Sequence, residues 1–416
     1  MGFVVVILVF LGLDLYAFMG LRPLLLGLTP SIRIGIILIY WVISLSLPLL
    51  YLLNPVDFRR PSSGSTWFVV LANIWMIIGI SKLVFILSLF GEDIFRFLSG
   101  VSNKFFSNSE ESDTFLPSRR KFVGQTALVL SSLPFLSLTY GLFKGRYQFK
   151  IHRKEIFYKD LPQAFDGLTI TQLSDIHAGG LDDADEVQKA LDMVHELNSD
   201  ILVFTGDLVN TFASEFDPWL AQFSTLKAKF GKFSVLGNHD YGHYHNWTDV
   251  NAKRENFDQL VAHHANMGFQ LLRDESIKIE RDGQHIHVLG VENWGVGFGK
   301  LGDLDKAMQT VSAEDFKVLL SHDPTHWEFV VKNHPKFVHL TLSGHTHGMQ
   351  MGIELPGFKW SPIQYRYSKW SDLHKEQDRY LYINRGFGVL GYRGRVGIWP
   401  EITHITLRRA PSESEV

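Results

Sequence analysis

Four apolar runs crowd the first third of this 416-residue chain: Gly2–Leu21, Ile34–Leu53, Trp67–Phe90 and Phe122–Phe143. Each is close to the ~20 residues that a helix needs to cross the hydrocarbon core of a bilayer. Backbone groups in lipid must find their hydrogen bonds inside their own segment, so isolated runs of this kind are expected as helices. After Phe143 no comparable run occurs. The sequence therefore predicts a multi-pass membrane region over 1–145, a linker over 146–164, a separately folded domain over 165–410 and a polar tail over 411–416.

The first run contains Asp14 and the fourth Gln125, Ser131, Ser132 and Pro134, so these two are the less apolar. An ionisable group at membrane depth is costly and marks either a pathway or a helix contact. The first two runs hold no second acid, His or Arg to form a relay with Asp14, and Lys82 in the third is the candidate partner. A contact between helices is the expectation, not transport. Before the fourth run, Ser118-Arg119-Arg120-Lys121-Phe122-Val123 resembles a twin-arginine export signature, and no A-x-A cleavage site follows it. That pattern predicts an uncleaved anchor with Arg119 and Arg120 in the cytoplasm and the C-terminal domain outside. Lys144, Arg146, Lys150, Arg153 and Lys154 crowd the other end of the run and oppose this orientation.

Lys and Arg total 40 against 43 Asp and Glu, a formal net charge of −3, so no basic excess suggests a nucleic-acid footprint. The chain has no cysteine, which removes disulfides, thiolate metal sites and Cys nucleophiles together. Any metal must be held by nitrogen and oxygen.

From Gly167 onward short apolar runs alternate with helical patterns, as in an α/β sandwich. Leu168–Leu173 reads as a strand; Val187, Ala190, Leu191, Val194 and Leu197 then recur at helical spacing over 184–198. Further strands are expected at Ile201–Phe204, Phe233–Leu236, His285–Val291, Phe316–Leu320, Phe337–Leu342, Tyr380–Asn384 and Ile402–Leu407. Polar residues follow these strands in phase. Asp175 and His177 follow the first, Asp207 the second, Asn238 and His239 the third, His322 a later one, and His345 and His347 another. The carboxyl ends of strands line the ligand crevice of open α/β sheets, so five loops deliver His, Asp or Asn to one edge.

Two histidines separated by one residue, as in Gly344-His345-Thr346-His347-Gly348, cannot share a face of a strand or helix, but in a turn they can address two neighbouring cations. The same holds for Asp175 and His177. Imidazole with carboxylate suits Zn, Fe or Mn, and the two oxygens of Asp207 suit a bridge between ions ~3.5–4 Å apart. Such a pair generates hydroxide near neutral pH and clamps phosphoryl oxygens. In Gly237-Asn238-His239-Asp240, His239 is the expected proton donor to the leaving oxygen, and Asp240 the expected orienter of its ring.

Taken in order, Asp175-x-His177, Gly206-Asp207, Gly237-Asn238-His239-Asp240, His322 and Gly344-His345-x-His347 resemble the signature of the calcineurin-like metallophosphoesterases over roughly residues 165–408. The stretches Asn384–Gly388 and Arg395–Ile402 look like the bacterial, membrane-associated or twin-arginine-exported phosphodiesterase branch. The resemblance implies a four-layer αββα sandwich and two divalent ions. One would be held by Asp175, His177, Asp207 and His347, the other by Asp207, Asn238, His322 and His345. It also implies hydrolysis of a phosphate ester, with a lipid-linked substrate suggested by the membrane anchor. The competing expectations are a pyrophosphatase acting on a nucleotide-linked lipid precursor such as UDP-diacylglucosamine, which needs a cytoplasmic site, and a metal-bearing scaffold or sensor. Glu292-Asn293-Trp294 departs from the branch's Asp near the substrate loop. Of the remaining histidines, His263, His264, His285 and His287 are expected to be surface or satisfied core residues, and His243 and His245 to lie close to the active loop, with lining of the substrate mouth the lesser reading. Arg385 and Arg395 suit either a phosphate contact or a structural ion pair.

Overall fold

The computed structural model describes residues 2–53, 66–106 and 117–411. The chain divides into two compact units, Met1–Tyr140 and Gly141–Val416. All of the expected tail except Pro411 lies outside the described residues, as do the side chains of Lys104, Arg119 and Arg120.

Four helices build the first unit: α1 (Gly2–Leu25), α2 (Pro30–Leu53), α3 (Thr66–Phe106) and α4 (Pro117–Phe143). Leu8–Leu25, Phe68–Ser102 and Lys121–Phe143 are long and apolar enough to cross a membrane, while α2 offers the shorter stretch Pro30–Ser46 among the described residues. Helix α3 runs well past Phe90, to Phe106, with Glu92 and Arg96 placed at (i, i+4) in the extension. Ala17, Phe85, Ile86, Leu89 and Ala127 form the packed centre of the unit. Asp14 is buried and ion-paired with Lys82, whose Nζ also donates to Ser44 Oγ at 2.9 Å. The Tyr40 ring lies 4.9 Å from that ammonium, and the Tyr40 hydroxyl donates to the Asp14 carbonyl at 2.6 Å. The charges cancel and their hydrogen bonds are met within the bundle, which makes Asp14 a helix contact.

In the second unit the strands, in chain order, are β1 (Lys150–Tyr158), β2 (Thr169–Leu173), β3 (Ile201–Phe204), β4 (Gly231–Ser234), β5 (Gln270–Leu271), β6 (Glu275–Arg281), β7 (Gln284–Gly290) and β8 (Trp294–Gly295). They continue with β9 (Gly299–Lys300), β10 (Lys317–Leu320), β11 (Leu340–Ser343), β12 (Ile353–Leu355), β13 (Phe358–Trp360), β14 (Asp372–Glu376), β15 (Arg379–Ile383) and β16 (Glu401–Arg409). Two six-stranded mixed sheets result, ordered β1-β16-β2-β3-β4-β5 and β14-β15-β11-β10-β7-β6.

Alternation along the strands sorts the core into layers. Ile201 and Val203 join Ile170, Val288, Val318 and Leu342 in the cluster between the sheets. Leu202 and Phe204, on the opposite face, pack with Val187, Ala190, Leu191 and Val194 of α5 (Ala184–Glu196). Outside the second sheet, Leu289, Leu319 and Ile383 pack with Leu304, Ala307 and Trp327 of two short helices. The result is the four-layer α/β sandwich. Helix α5 starts where Asp183 caps it, its carboxylate accepting from the Asp185 and Glu186 amides at 3.1 Å.

The stretch read as a linker, 146–164, is instead built into the sandwich: β1 pairs in parallel with β16 from Lys150 to Tyr158. Two other strands that apolar patterning missed, β6 and β14, are like β1 edges of their sheets. Edge strands carry charge because one side stays unpaired, so an apolar-run criterion passes over KIHRKEIFY, ESIKIER and DLHKE.

Candidate metal centre

Strands β2, β3 and β4 run parallel in one sheet, and β10 and β11 run parallel in the other. Their carboxyl ends therefore release Asp175 and His177, Asp207, Asn238, His322, and His345 and His347 at one rim. The loops are laced together by main-chain bonds: Asp175 N to Gly206 O at 2.9 Å, His177 N to Asp207 O at 3.1 Å and Gly344 N to His322 O at 2.9 Å. Gln172 Nε2 ties the two sheets beneath, donating to Thr205 Oγ1 and to the Ser343 carbonyl, both at 2.9 Å.

The backbone is bent hard to bring these side chains together. Asp175, His177, Asp207, His345 and His347 all have positive φ, from 44° to 70°. A non-glycine residue there costs of order 1–3 kcal/mol, and such strain persists only where the surroundings over-determine it. Gly237 and Gly344 permit the closest approaches: a Cβ on the first would strike the Asp207 carboxylate, and one on the second Ser174 Oγ and the Asp175 carboxylate.

Two groups of donor atoms converge, Asp175 with His177 and His347, and Asp207 with His322 and His345; within each the atoms lie within 4.8 Å of one another. Asp207 reaches toward both. Its Oδ2 is 3.2 Å from His322 Nε2 and 3.5 Å from His177 Nε2, while its Oδ1 accepts from the His239 amide at 2.8 Å. Asn238 turns Oδ1 toward His322 Nε2 (3.2 Å) because its amide nitrogen donates to the Tyr244 hydroxyl at 2.8 Å.

Partners behind the rings set which nitrogen faces inward. His177 Nδ1 lies 2.9 Å from Asn210 Oδ1, and His322 Nδ1 lies 2.8 Å from the Thr205 carbonyl, so in each ring Nε2 is the atom left for a ligand. His345 Nε2 contacts the Tyr367 hydroxyl at 2.9 Å. Nε2 of His177 and of His347 are buried without a hydrogen-bond partner, although His347 Nε2 is only 3.2 Å from Asp175 Oδ1. Buried imidazole nitrogens facing carboxylates without hydrogen-bond geometry are what a cation-binding donor set looks like, and its nitrogen and oxygen chemistry fits first-row divalent ions.

Burial pushes His345 down to about 4 and His177 well below the ordinary histidine value, so both imidazoles are neutral at pH 7. Burial opposes protonation of His322 too, but the Asp207 and Asp175 carboxylates outweigh it and raise the ring to about 10. Burial would raise Asp175, yet His347 and His322 hold it well below the usual carboxylate range.

His239 is placed differently from its expectation in one respect. Its Nδ1 sits 2.7 Å from the Asn210 carbonyl, and its ring stacks on Tyr244 at 4.3 Å. Asp240 instead accepts main-chain amides from Asp207 (2.9 Å), Leu208 (2.8 Å) and Gly237 (2.8 Å). It clasps the Asp207 and Gly237 loops and leaves the His239 ring to Asn210. Burial, then the Asp207 charge, raises Asp240 to about 7.

Asn210, Tyr244, Tyr367 and Asp323 were not singled out from sequence. Asp323 Oδ2 is 3.4 Å from His345 Nε2, and its neighbour Oδ1 caps the Pro324–Phe329 helix. Only adjacency to His322 could have drawn attention to it. At the rim Phe298 meets His345 edge-on at 4.6 Å, and the Arg366 guanidinium lies 4.8 Å from the Phe298 ring and 5.6 Å from the Tyr367 ring.

The other residues resolve as follows. Arg385 is buried and paired with Glu401 and Glu354, both at 2.6 Å, which makes it structural. Arg395 is buried behind the centre and donates to the Gly386 and Gly388 carbonyls. Glu292 pairs with Arg273 at 2.6 Å. His245 meets Phe212 and Trp247 edge-on, and His243 sits 3.1 Å from Lys253. His263 and His264 are core residues, and His285 and His287 share Asp315 at 3.0 and 3.3 Å.

Asp, Asn and His are thus gathered at the strand ends of two paired mixed sheets. Residues 168–349 match the family profile of the calcineurin-like phosphoesterases, and residues 1–146 match the one described as "Probable Calcineurin-like phosphoesterase, transmembrane domain". Both units thus match calcineurin-like phosphoesterase profiles, the first of them as a transmembrane domain. It is similar to the "Transmembrane protein with metallophosphoesterase domain" of Danio rerio, 29% identical over 297 residues that cover 69% of this chain and 63% of that one. The protein of the same description in Bos taurus is 27% identical over 310 residues, 71% of this chain and 65% of that one. The uncharacterized metallophosphoesterase YkuE of Bacillus subtilis strain 168 is 29% identical over 254 residues, 60% of this chain and 82% of that one. The chain thus spans less than two thirds of the length of the two vertebrate relatives.

Proposed function

We propose that this protein is a membrane-held phosphodiesterase whose centre binds two divalent ions, one on Asp175, His177, Asp207 and His347, the other on Asp207, Asn238, His322 and His345. The observation that carries this reading is Asp207, whose carboxylate lies within 3.5 Å of a histidine from each donor group. When bound, the ion pair supplies a hydroxide near neutral pH and neutralises charge on the phosphoryl oxygens.

The chain's own residues supply positioning and the proton. With Nδ1–H donated to the Asn210 carbonyl, Nε2 is the nitrogen through which His239 takes up a proton and delivers it to the leaving oxygen. Tyr244 fixes both the His239 ring and the Asn238 amide. Asp240 keeps the Asp207 and Gly237 loops in register, a positioning role. Arg366, set against the Phe298 and Tyr367 rings, offers a cation at the mouth for the second ester oxygen or headgroup of an anionic substrate.

The test is metal analysis and turnover of the purified full-length protein with bis(p-nitrophenyl) phosphate after chelation and reloading with Mn, Fe or Zn. Two equivalents and restored hydrolysis are expected. Activity that survives complete chelation would discard the reading.

We place the centre outside the cytoplasm, on the export-like Ser118–Val123 stretch and the basic residues Arg96, Lys104, Arg119, Arg120 and Lys121, with a lipid-linked substrate in reach. The basic cluster Lys144–Lys154 favours the second reading, a cytoplasmic pyrophosphatase acting on a nucleotide-linked lipid precursor. Protease digestion of the C-terminal domain in sealed, oriented vesicles decides: accessibility from the outer face supports the first, and protection until rupture the second.

A further inference from the structure

One small hairpin in the catalytic unit reverses the usual arrangement of a surface ribbon. Strands β12 and β13 pair antiparallel with Ile353 opposite Trp360, Glu354 opposite Lys359 and Leu355 opposite Phe358. Side chains alternate along a strand, and directly opposed residues share a face. One face therefore carries Ile353, Leu355, Phe358 and Trp360, and the other carries Glu354 and Lys359.

On a water-exposed ribbon the polar face turns out and the apolar face packs down. Here the polar face is the one held to the body of the domain. Arg385, fully buried, grips the Glu354 carboxylate from two nitrogens, Nη2 at 2.6 Å and Nε at 3.1 Å, and Lys359 is ion-paired with Asp372. Asp372 is held in turn by Lys154 at 2.6 Å, and Arg385 by Glu401 at 2.6 Å. These contacts fix the ribbon's roll, so the apolar face cannot turn inward without breaking the Arg385–Glu354 and Lys359–Asp372 pairs. Leu355 is 60% exposed, Phe358 53% and Ile353 44%, and Tyr365 beside them is 80% exposed.

We infer that this face, Ile353, Leu355 and Phe358 with Trp360 and Tyr365 at its border, seats in the interfacial layer of a lipid bilayer. Its occupant follows from the chain itself. The protein carries transmembrane helices, so a bilayer is the apolar phase it always meets. The composition fits that boundary: aliphatic and Phe side chains at the tip, with Trp and Tyr, whose rings prefer the headgroup level, at the edge. The hairpin begins six residues after His347 and is anchored through Arg385, next to Gly386, whose Cβ position lies 3.0 Å from both Asp175 and His347. The inference does not depend on the proposed hydrolysis.

The absence of cysteine makes the test direct. Full-length Leu355→Cys, Phe358→Cys and, as a control on exposed β6, Glu280→Cys are labelled with the fluorophore NBD. Each is reconstituted into phosphatidylcholine vesicles with or without 5-doxyl-phosphatidylcholine. Labels at 355 and 358 are expected to emit at shorter wavelength than at 280 and to be quenched at least twofold more by the doxyl lipid. Emission and quenching equal to the control would overturn the inference. A blue shift without lipid quenching would overturn it as well, by assigning the face to a protein partner or a second copy.

Discussion

His239 Nδ1 and the Asn210 carbonyl oxygen lie 2.7 Å apart, and this contact selects the face that His239 turns toward the metal centre. A carbonyl only accepts, so Nδ1 must carry hydrogen, and Nε2 is the position from which a proton is given and regained. Asn210 uses its side-chain oxygen in the same way on His177, at 2.9 Å. One residue thus fixes the tautomers of a proposed ligand and of the proposed acid.

His239→Gln is therefore expected to keep its metal and lose ~10²–10⁴ in turnover on a diester with a poor leaving group. With p-nitrophenolate as leaving group the loss should shrink markedly, since that oxygen needs no proton. Parallel metal analysis and turnover on the two substrates measure both. Equal losses on the two would remove His239 from proton transfer.

Metal uptake is expected to release a proton from His322. Its ring is raised to about 10 in the metal-free centre, whereas His177 and His345 are already neutral. A cation must displace that one proton, so apparent affinity should rise about tenfold per pH unit between pH 6 and 8. Titration calorimetry in buffers of different ionisation enthalpy counts the protons directly; a count of zero contradicts the assignment.

Gly237→Ala is expected to lower metal occupancy with no change of charge. The added methyl meets the Asp207 carboxylate and amide, and Asp207 serves both donor groups. Asp207→Asn should lower occupancy too. Metal analysis of both variants, alongside circular dichroism to verify folding, separates this steric effect from general unfolding.

Lys82→Met should destabilise the membrane unit by about 3–5 kcal/mol, because Asp14 is left as an uncompensated buried charge. The double variant Asp14→Leu/Lys82→Met is expected to recover most of that loss. The thermal midpoint of the full-length protein in detergent reports both. A double variant no better than the single one would mean the pair does more than cancel charge.

Much of this molecule can be read from its residues in order. Helical runs near twenty residues, strand alternation, and His, Asp and Asn placed after successive strands depend on local spacing, which sequence carries. The pairing of Asp14 with Lys82 was legible because each is the isolated charge of its apolar run. Tertiary structure alone decided what depends on the approach of distant segments. The edge strands β1, β6 and β14 gain their order from a neighbour, because their charged sequences have little apolar drive of their own. Asp240, adjacent to His239, was read as its orienter, yet the turn aims the carboxylate at the Asp207, Leu208 and Gly237 amides while Asn210, 29 residues away, reaches the ring. The positive φ of Asp175, His177, Asp207, His345 and His347 is likewise decided by tertiary structure: Asp and His tolerate that region better than most residues, but five together persist only where the closing of two sheets over one rim holds them there. The outward apolar face of the β12–β13 hairpin follows the same logic. Its alternation was in the sequence, but only the grip of Arg385 and Asp372 on the polar side determined which face met the outside.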